Sequence, residues 1–459
     1  MQGTVALRER GRLAAPLNSI LREARRRASW PEPDVRNLRT WRQLVLAVLV
    51  QRSTRLLSLA RAALPARRAS RVKTAALGLG YFLARAEFPT ASLSRRLLLA
   101  VVRALPPERL ASYRGKVLLV IDPTDYPKRS RGRGKRGRQM QHIGRVRRKA
   151  HGQPRPRAVP GRAKPAPKPA TTFGYVDVWA GLVLRGKQFL PLTRQLFSAA
   201  HPQLPSQPAV EVAVIAQALA LLRALKLPSI VVGDRGLGRK ELLIELANRP
   251  QDCVLRISPD ITALSGRGRV ALELAALLER QPWLGEAVWD GGDDGPTRCR
   301  VRATRAAIRF SRTGRQADCT EATLNFVELV PLERQSESLV LATTLPARTL
   351  TECKGVARVY AQRWAIETAF ETLKAWGLER FMVRAWGAID RLLWIVALAY
   401  ALVVLALQDR RLTRLHTQAV ALLRQLTVLG RRLTPGKFAE AVSLDYPVHR
   451  RAWAAVWLR

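Results

Sequence analysis

Acidic residues are scarce in this chain. Its 459 residues carry 34 Asp and Glu against 79 Lys and Arg, a formal charge of +45. Such an excess repels itself in a compact fold and makes a polyanion the expected partner. An Arg- and Ala-rich composition contributes to the basic balance, but it does not account for so few acids. Cysteine is sparse too: Cys253, Cys299, Cys319 and Cys353 form no CxxC, and only five His accompany them. That disfavours a structural zinc site and favours reduced, cytosolic thiols. No signal peptide is expected, since the first apolar run, Leu44 to Val50, is short and lies too far in. The longest uncharged apolar run, Leu392 to Leu407, has sixteen residues, fewer than the about 20 of a membrane span. Asp390 and Asp409 close it at both ends, so a buried core helix is expected and no membrane partner.

What is present suffices for a folded protein. Hydrophobic residues make up 47% and aromatics 6%, ordinary values for globular chains. Residues 1–110 read as a helical, basic, DNA-binding domain: Val35 to Leu64 and Ala84 to Leu105 are periodic in Leu and Val, with Gly78 and Gly80 between them. Residues 111–250 switch to buried strands. Val117 to Ile121 is one, followed by Asp122; Ser229 to Gly233 is another, followed by Asp234. Between them, Thr172 to Phe197 reads as a strand pair returning at Gly181, and Val210 to Leu227 as a helix. A second helix is expected from Arg239 to Asn248. The order fits a mixed sheet with helices on its faces. From Lys128 to Lys168 the chain holds sixteen Lys and Arg and no acid. That stretch, beginning Lys128-Arg129, is expected to be a mobile arm gripping phosphates. Residues 251–337 form a β-rich insertion with a turn at Gly291 to Gly295. Residues 338–409 return to the sheet, and residues 410–459 form a C-terminal helical region.

The densest signal lies in residues 360–374. Tyr360, Arg363, Glu367 and Lys374 recur at i, i+3, i+7 and i+14, one stripe of a helix expected to run from a Thr351 cap to Gly377. Ala365, Ile366, Ala369 and Leu373 form its apolar back. Three acids from separate elements, Asp122, Asp234 and Glu367, could hold two divalent ions for phosphodiester chemistry. Glu371, one turn beyond Glu367, competes for the third place. Each acid alone is as well read as a turn former, a cap or a solvated face.

The spacing Y-x2-R-x3-E-x6-K of Tyr360, Arg363, Glu367 and Lys374 resembles the signature of a subgroup of DDE transposases of bacterial insertion sequences. Leu118 to Thr124 is similar to the family's first segment, a strand ending in Asp, and Val231 to Gly236 to its second, strand then Asp-Arg-Gly. Pro123 departs from the pattern, as does the length of the basic arm. The resemblance implies an α/β, RNase H-like (retroviral-integrase-type) core interrupted by a β-rich insertion, behind the N-terminal helical domain. It implies cleavage at the ends of a mobile element and strand transfer into target DNA through a hairpin. Asp122, Asp234 and Glu367 would bind two Mg²⁺ ions, with Mn²⁺ as substitute. Tyr360, Arg363, Lys374 and Arg235 would contact DNA phosphates. Trp283 or Trp289 would stack on a flipped base, although core packing is the competing reading for either. Double-stranded DNA (terminal inverted repeats and target), a homodimer in the synaptic complex and a cytoplasmic, nucleoid-associated prokaryotic location are the expectations that follow. A structure-specific nuclease and a non-catalytic nucleic-acid binder are the rival readings.

Overall fold

A computed structural model of the chain describes residues 34–63, 71–128, 140–147, 171–265, 270–291, 295–311, 319–333, 337–408 and 435. The expectations for Arg129, most of the basic arm and the C-terminal region lie outside these residues.

Among the described residues four helices come first: α1 (Val35–Gln51), α2 (Leu56–Ala63), α3 (Val72–Arg85) and α4 (Thr90–Ala104). Asp34 caps α1 by accepting from the Arg36 backbone N–H at 2.8 Å. Gly78 and Gly80 do not separate helices but lie inside α3. Burial of Leu79, Phe82 and Leu83 on that helix outweighs a glycine penalty of about 1 kcal/mol each.

The sheet begins with β1 (Ser112–Tyr113), β2 (Lys116–Lys128), β3 (Gly144–Arg147), β4 (Thr171–Leu184) and β5 (Gln188–Phe197). Then follow α5 (Gln207–Ala224), β6 (Ser229–Gly233), α6 (Lys240–Ala247) and β7 (Asp252–Arg256). The next stretch holds β8 (Thr262–Ser265), β9 (Val270–Glu273), α7 (Leu274–Glu279), β10 (Gly285–Trp289), β11 (Thr297–Ser311) and β12 (Cys319–Pro331). β13 (Leu339–Thr343), α8 (Leu350–Ala361), α9 (Trp364–Ala375) and α10 (Trp386–Gln408) complete the described fold.

All the strands join one mixed sheet, whose main path is β3-β4-β2-β6-β7-β13-β12-β11-β8-β9. Its centre is parallel: β6 pairs with β2 on one side and β7 on the other. The flanks are antiparallel. The expected α/β architecture is therefore present, with three differences. β2 does not stop at Ile121; it continues through Asp122 and Pro123 to Lys128 on the antiparallel partner β4. Gly181 is not the return but a bulge, where an added Cβ would meet the Leu190 carbonyl at 2.3 Å; the turn falls at residues 185–187. The β-rich stretch is continuous with the main sheet, because β7 pairs with β6 and β12 with β13.

α10 is the expected core helix. Among the described residues two helices, Gln207–Ala224 and Trp386–Leu405, are long and apolar enough to cross a membrane; the second is 89% buried inside the fold. It packs against α1, α3, α4 and β5, so its apolar residues already have protein partners. A buried Leu or Val there contributes roughly 1.5–3 kcal/mol.

One polar network lies inside this core. Asp177 on β4 and Arg194 on β5 have fully buried side chains, with Arg194 Nη2 2.7 Å from Asp177 Oδ1. Tyr126 Oη and Trp179 Nε1 also donate to Asp177, at 2.9 and 2.6 Å, and Arg194 Nη1 reaches Asp390 Oδ1 on α10 at 2.7 Å. It ties β2, β4, β5 and α10 together. Removing one member leaves a buried charge uncompensated. Asp177→Ala or Arg194→Met is expected to lower unfolding free energy by about 3–5 kcal/mol, measured by urea denaturation; a loss under about 1 kcal/mol would remove this network from the core's support.

Candidate active site

Parallel pairing aligns residues from strands far apart in the chain. Ile121 is opposite Gly233, and Gly233 is opposite Leu255. The next residue on each segment is Asp122, Asp234 and Arg256, so these three form a row across the sheet. Neighbouring strands lie about 4.8 Å apart, and row neighbours point to one face. The row continues through Trp179, the partner of Asp122, to Arg194.

α8 and α9 supply the rest. The expected single helix is two: residues 362–363 interrupt it, and Arg363 is the N-cap residue of α9. The cap of α8 is Thr349 rather than Thr351, in a reciprocal capping box with Glu352. Gly377 ends α9 as expected, at φ +83°. The apolar back is buried as read: Ala365, Ile366, Ala369 and Leu373 all face the core. The front is not a solvated stripe, because Tyr360 and Arg363 are buried as well.

Their burial has a purpose. Tyr360 Oη donates to Asp234 Oδ1 at 2.9 Å. Arg363 Nη1 lies 2.6 Å from Glu367 Oε1 and 4.0 Å from Asp234 Oδ2. One guanidinium thus bridges two of the three candidate acids. Burial alone would push the Asp234 carboxyl up; Arg363, the Arg235 backbone N–H, Tyr360 and Arg256 outweigh it and hold the carboxyl below its ordinary range. Burial drives the Tyr360 phenol up, so it remains a donor. On α9, Phe370 meets Trp179 edge-on at 5.9 Å. Trp179 is the register partner of Asp122, and Glu367 stands one turn before Phe370, so Glu367 is on the side of α9 nearest the row. Glu371 is exposed.

The structure therefore brings Asp122, Asp234, Glu367, Tyr360 and Arg363 to one region. Carboxylate oxygens suit a hard divalent ion. Yet among the described residues no three His, Cys, Asp or Glu form a ready cation cage. The positive charge between Asp234 and Glu367 is the Arg363 guanidinium itself.

The remaining expected residues divide. Trp289 joins the site: its ring stacks on Tyr360 at 5.9 Å and 23°. Trp364 Nε1 donates to the Gly291 carbonyl, holding the β10–β11 hairpin against the start of α9. Beside this stack, Lys187, Asp290, Lys354 and Arg358 line a cleft of about 480 Å³. Trp283 is elsewhere. It is 43% exposed, with the Arg300 and Arg302 guanidinium groups 5.9 and 4.8 Å from its ring centre. Arg300 and Arg302 alternate with buried Cys299 and Val301, so Trp283 stands on the face opposite Trp289, whose partner is Thr297. Trp289 also packs against the core, whereas Trp283 is among the exposed large hydrophobics. Lys374 pairs with Glu379 at 2.9 Å, and Arg235 with Glu337 at 2.6 Å.

Lys128 corrects the reading of the arm. It is not turned to solvent for phosphate but buried over the Phe381 ring, donating to the Glu379 and Phe381 carbonyls at 2.7 and 3.3 Å. Arg256 is the residue that sequence reasoning missed; a strand-terminal Arg in an Arg-rich chain carries no local mark.

Residues 211–402 match the family model described as the transposase DDE domain. No curated protein matches the chain. The match makes this stretch similar to a transposase DDE domain. It takes in Asp234 and Glu367 but begins after Asp122, which the sheet register ties to Asp234.

Burial pulls the Lys128 ammonium down to about 7 from 10.5. The unfolded chain then binds the extra proton between those values, so stability is expected to rise with pH across that window and to level off above it. The slope approaches about 1.4 kcal/mol per pH unit, and Lys128→Met should abolish it. Denaturation midpoints from pH 7 to 10.5 measure this; an unchanged slope in the variant would refute it.

Proposed function

We propose that this protein is a DNA transposase that cleaves the ends of a mobile element and joins them to target DNA, with Asp122, Asp234 and Glu367 as its catalytic acids. The observation that carries the reading is the row Asp122–Asp234, with Glu367 tied to it through Arg363. The basic balance of the chain supports a DNA partner, and the match over residues 211–402 supports the transposase class.

Asp122 and Asp234 would hold divalent ions from the sheet edge, with Glu367 closing the site from α9. When bound, such ions neutralise the phosphodiester and activate the attacking oxygen. The protein's own groups do the rest. Tyr360 orients one Asp234 oxygen through its hydroxyl, leaving the other for a ligand. Arg363 stabilises the acid pair. Its planar, forked guanidinium would also suit a phosphate held at this site. Lys374 at the far end of α9 would meet the phosphate backbone in exchange for Glu379. Trp289, already flat against Tyr360, offers a ring to an unstacked base. Mg²⁺ is the expected metal and a homodimer the expected assembly for holding two element ends.

Asp122→Asn, Asp234→Asn and Glu367→Gln are each expected to reduce Mg²⁺-dependent nicking of a plasmid bearing the element ends by about a thousandfold or more. Duplex binding should survive, with log K falling about 0.9 per phosphate contact against log salt. Activity retained in Glu367→Gln but lost in Glu371→Gln would assign the third acid to Glu371. Nicking without joined products would make the protein a nuclease, and no nicking by the unaltered chain would leave only a DNA binder.

A further inference from the structure

Next to the acid row lies a second arrangement of charge. Arg256 ends β7 beside Asp234, and Arg235 follows Asp234 directly. Glu337, just before β13, gives one oxygen to each: Oε1 is 2.6 Å from Arg235 Nη2, and Oε2 is 3.6 Å from Arg256 Nη2. Two guanidinium groups converge on one two-oxygen anion. Their demand is not met. Among the described residues, the buried Nε atoms of Arg235, Arg256 and also Arg363 have no hydrogen-bond partner. A buried donor without an acceptor costs about 1–3 kcal/mol. Such donors on Arg235 and Arg256, the two arginines that share Glu337, mark a place short of acceptor oxygens.

We propose that Arg235 and Arg256 form a phosphate-binding clamp for the DNA strand entering the acid row, and that Glu337 occupies this clamp until DNA displaces it. This deepens the transposase reading and rests on it for the identity of the strand. A phosphodiester offers two non-bridging oxygens plus ester oxygens, more acceptors than the carboxylate it replaces, and two arginines match that geometry in paired, charge-assisted hydrogen bonds. Glu337 suits exchange. Its side chain is 57% exposed, so its ion pairs are screened and weak compared with buried ones. Its placement also prevents two like charges from facing each other with nothing between them when DNA is absent.

Binding of a fluorescein-labelled 20-base-pair duplex by the full-length protein tests this, in EDTA so that no cleavage enters. Glu337→Gln is expected to raise affinity by about tenfold and to steepen the log K against log salt slope by about 0.9, one added phosphate contact. Glu279→Gln, an exposed acid on α7 carrying the same change in charge, should change affinity by less than about twofold. Arg256→Gln should weaken binding in the unaltered chain and cancel the gain in the Glu337→Gln background. Equal effects of Glu337→Gln and Glu279→Gln, or a gain that persists without Arg256, would overturn the clamp. Should Glu337→Gln not fold, the unaltered chain carries the test. Inorganic phosphate should raise its melting temperature more than chloride at matched ionic strength, and Arg256→Gln should lose that difference; an equal response overturns the assignment. Because these readouts need no catalysis, their failure is separate from a failure of the nicking assay.

Discussion

The parallel pairing of β2, β6 and β7 is the constraint on which the rest depends. It sets Ile121, Gly233 and Leu255 side by side, and so places Asp122, Asp234 and Arg256 in the next row. Side chains alternate along a strand, so a slip of one residue in β2 would turn Asp122 to the other face, away from α8 and α9. The register is held by burial: Leu119, Val120, Ile121, Val231 and Val232 are completely enclosed. β2 is also held by its pairing with β4 as far as Lys128. The chemistry of the row is thus fixed by apolar packing several residues away from it.

The scarce acids are concentrated where cations gather. Asp177 and Asp390 meet Arg194, Asp234 and Glu367 meet Arg363, Glu337 meets Arg235 and Arg256, and Glu379 meets Lys374. The first of these groups is enclosed and structural. The others lie nearer to solvent, around the row. In a chain of +45 charge, cations collected at one edge would repel one another and open the fold unless anions stood between them. Internal carboxylates hold such a cluster together without DNA, and their exposure leaves them exchangeable for it.

Local pattern carried much of this architecture. The buried apolar runs of β2 and β6, the helix before β6, the apolar back of α9 and Gly377 as its stop are all readable, because each depends on neighbours within a few residues. What was not readable depends on distant partners. β2 continues past Pro123 because β4 lies alongside, and nothing within Asp122 to Lys128 announces that strand. The break at residues 362–363 is hidden because helical spacing persists across it. Lys128 looks like the start of a basic run, yet Phe381, 253 residues away, takes its ammonium inward. Arg256 gains meaning only from the strand beside it.

The β-rich stretch between β7 and β13 bears on how the site is kept in shape. A separate lobe on a flexible joint could bring Trp289 to Tyr360 only by closing over it. Here β11 and β12 extend the same sheet, pairing from Cys299 with Pro331 to Ser311 with Cys319, and β12 joins β13 beside the row. The β10–β11 hairpin is therefore positioned by continuous backbone hydrogen bonds reaching back to β7. Trp289 against Tyr360, and Trp364 on the Gly291 carbonyl, fasten its far end to the α8–α9 junction. A sheet stiff along its hydrogen bonds, closed at the tip by two aromatic contacts, holds Tyr360 from behind while its hydroxyl holds Asp234. The orientation of the central carboxylate is thus set from two directions, by the strand that ends in it and by a hairpin whose own sequence contains no part of the acid row.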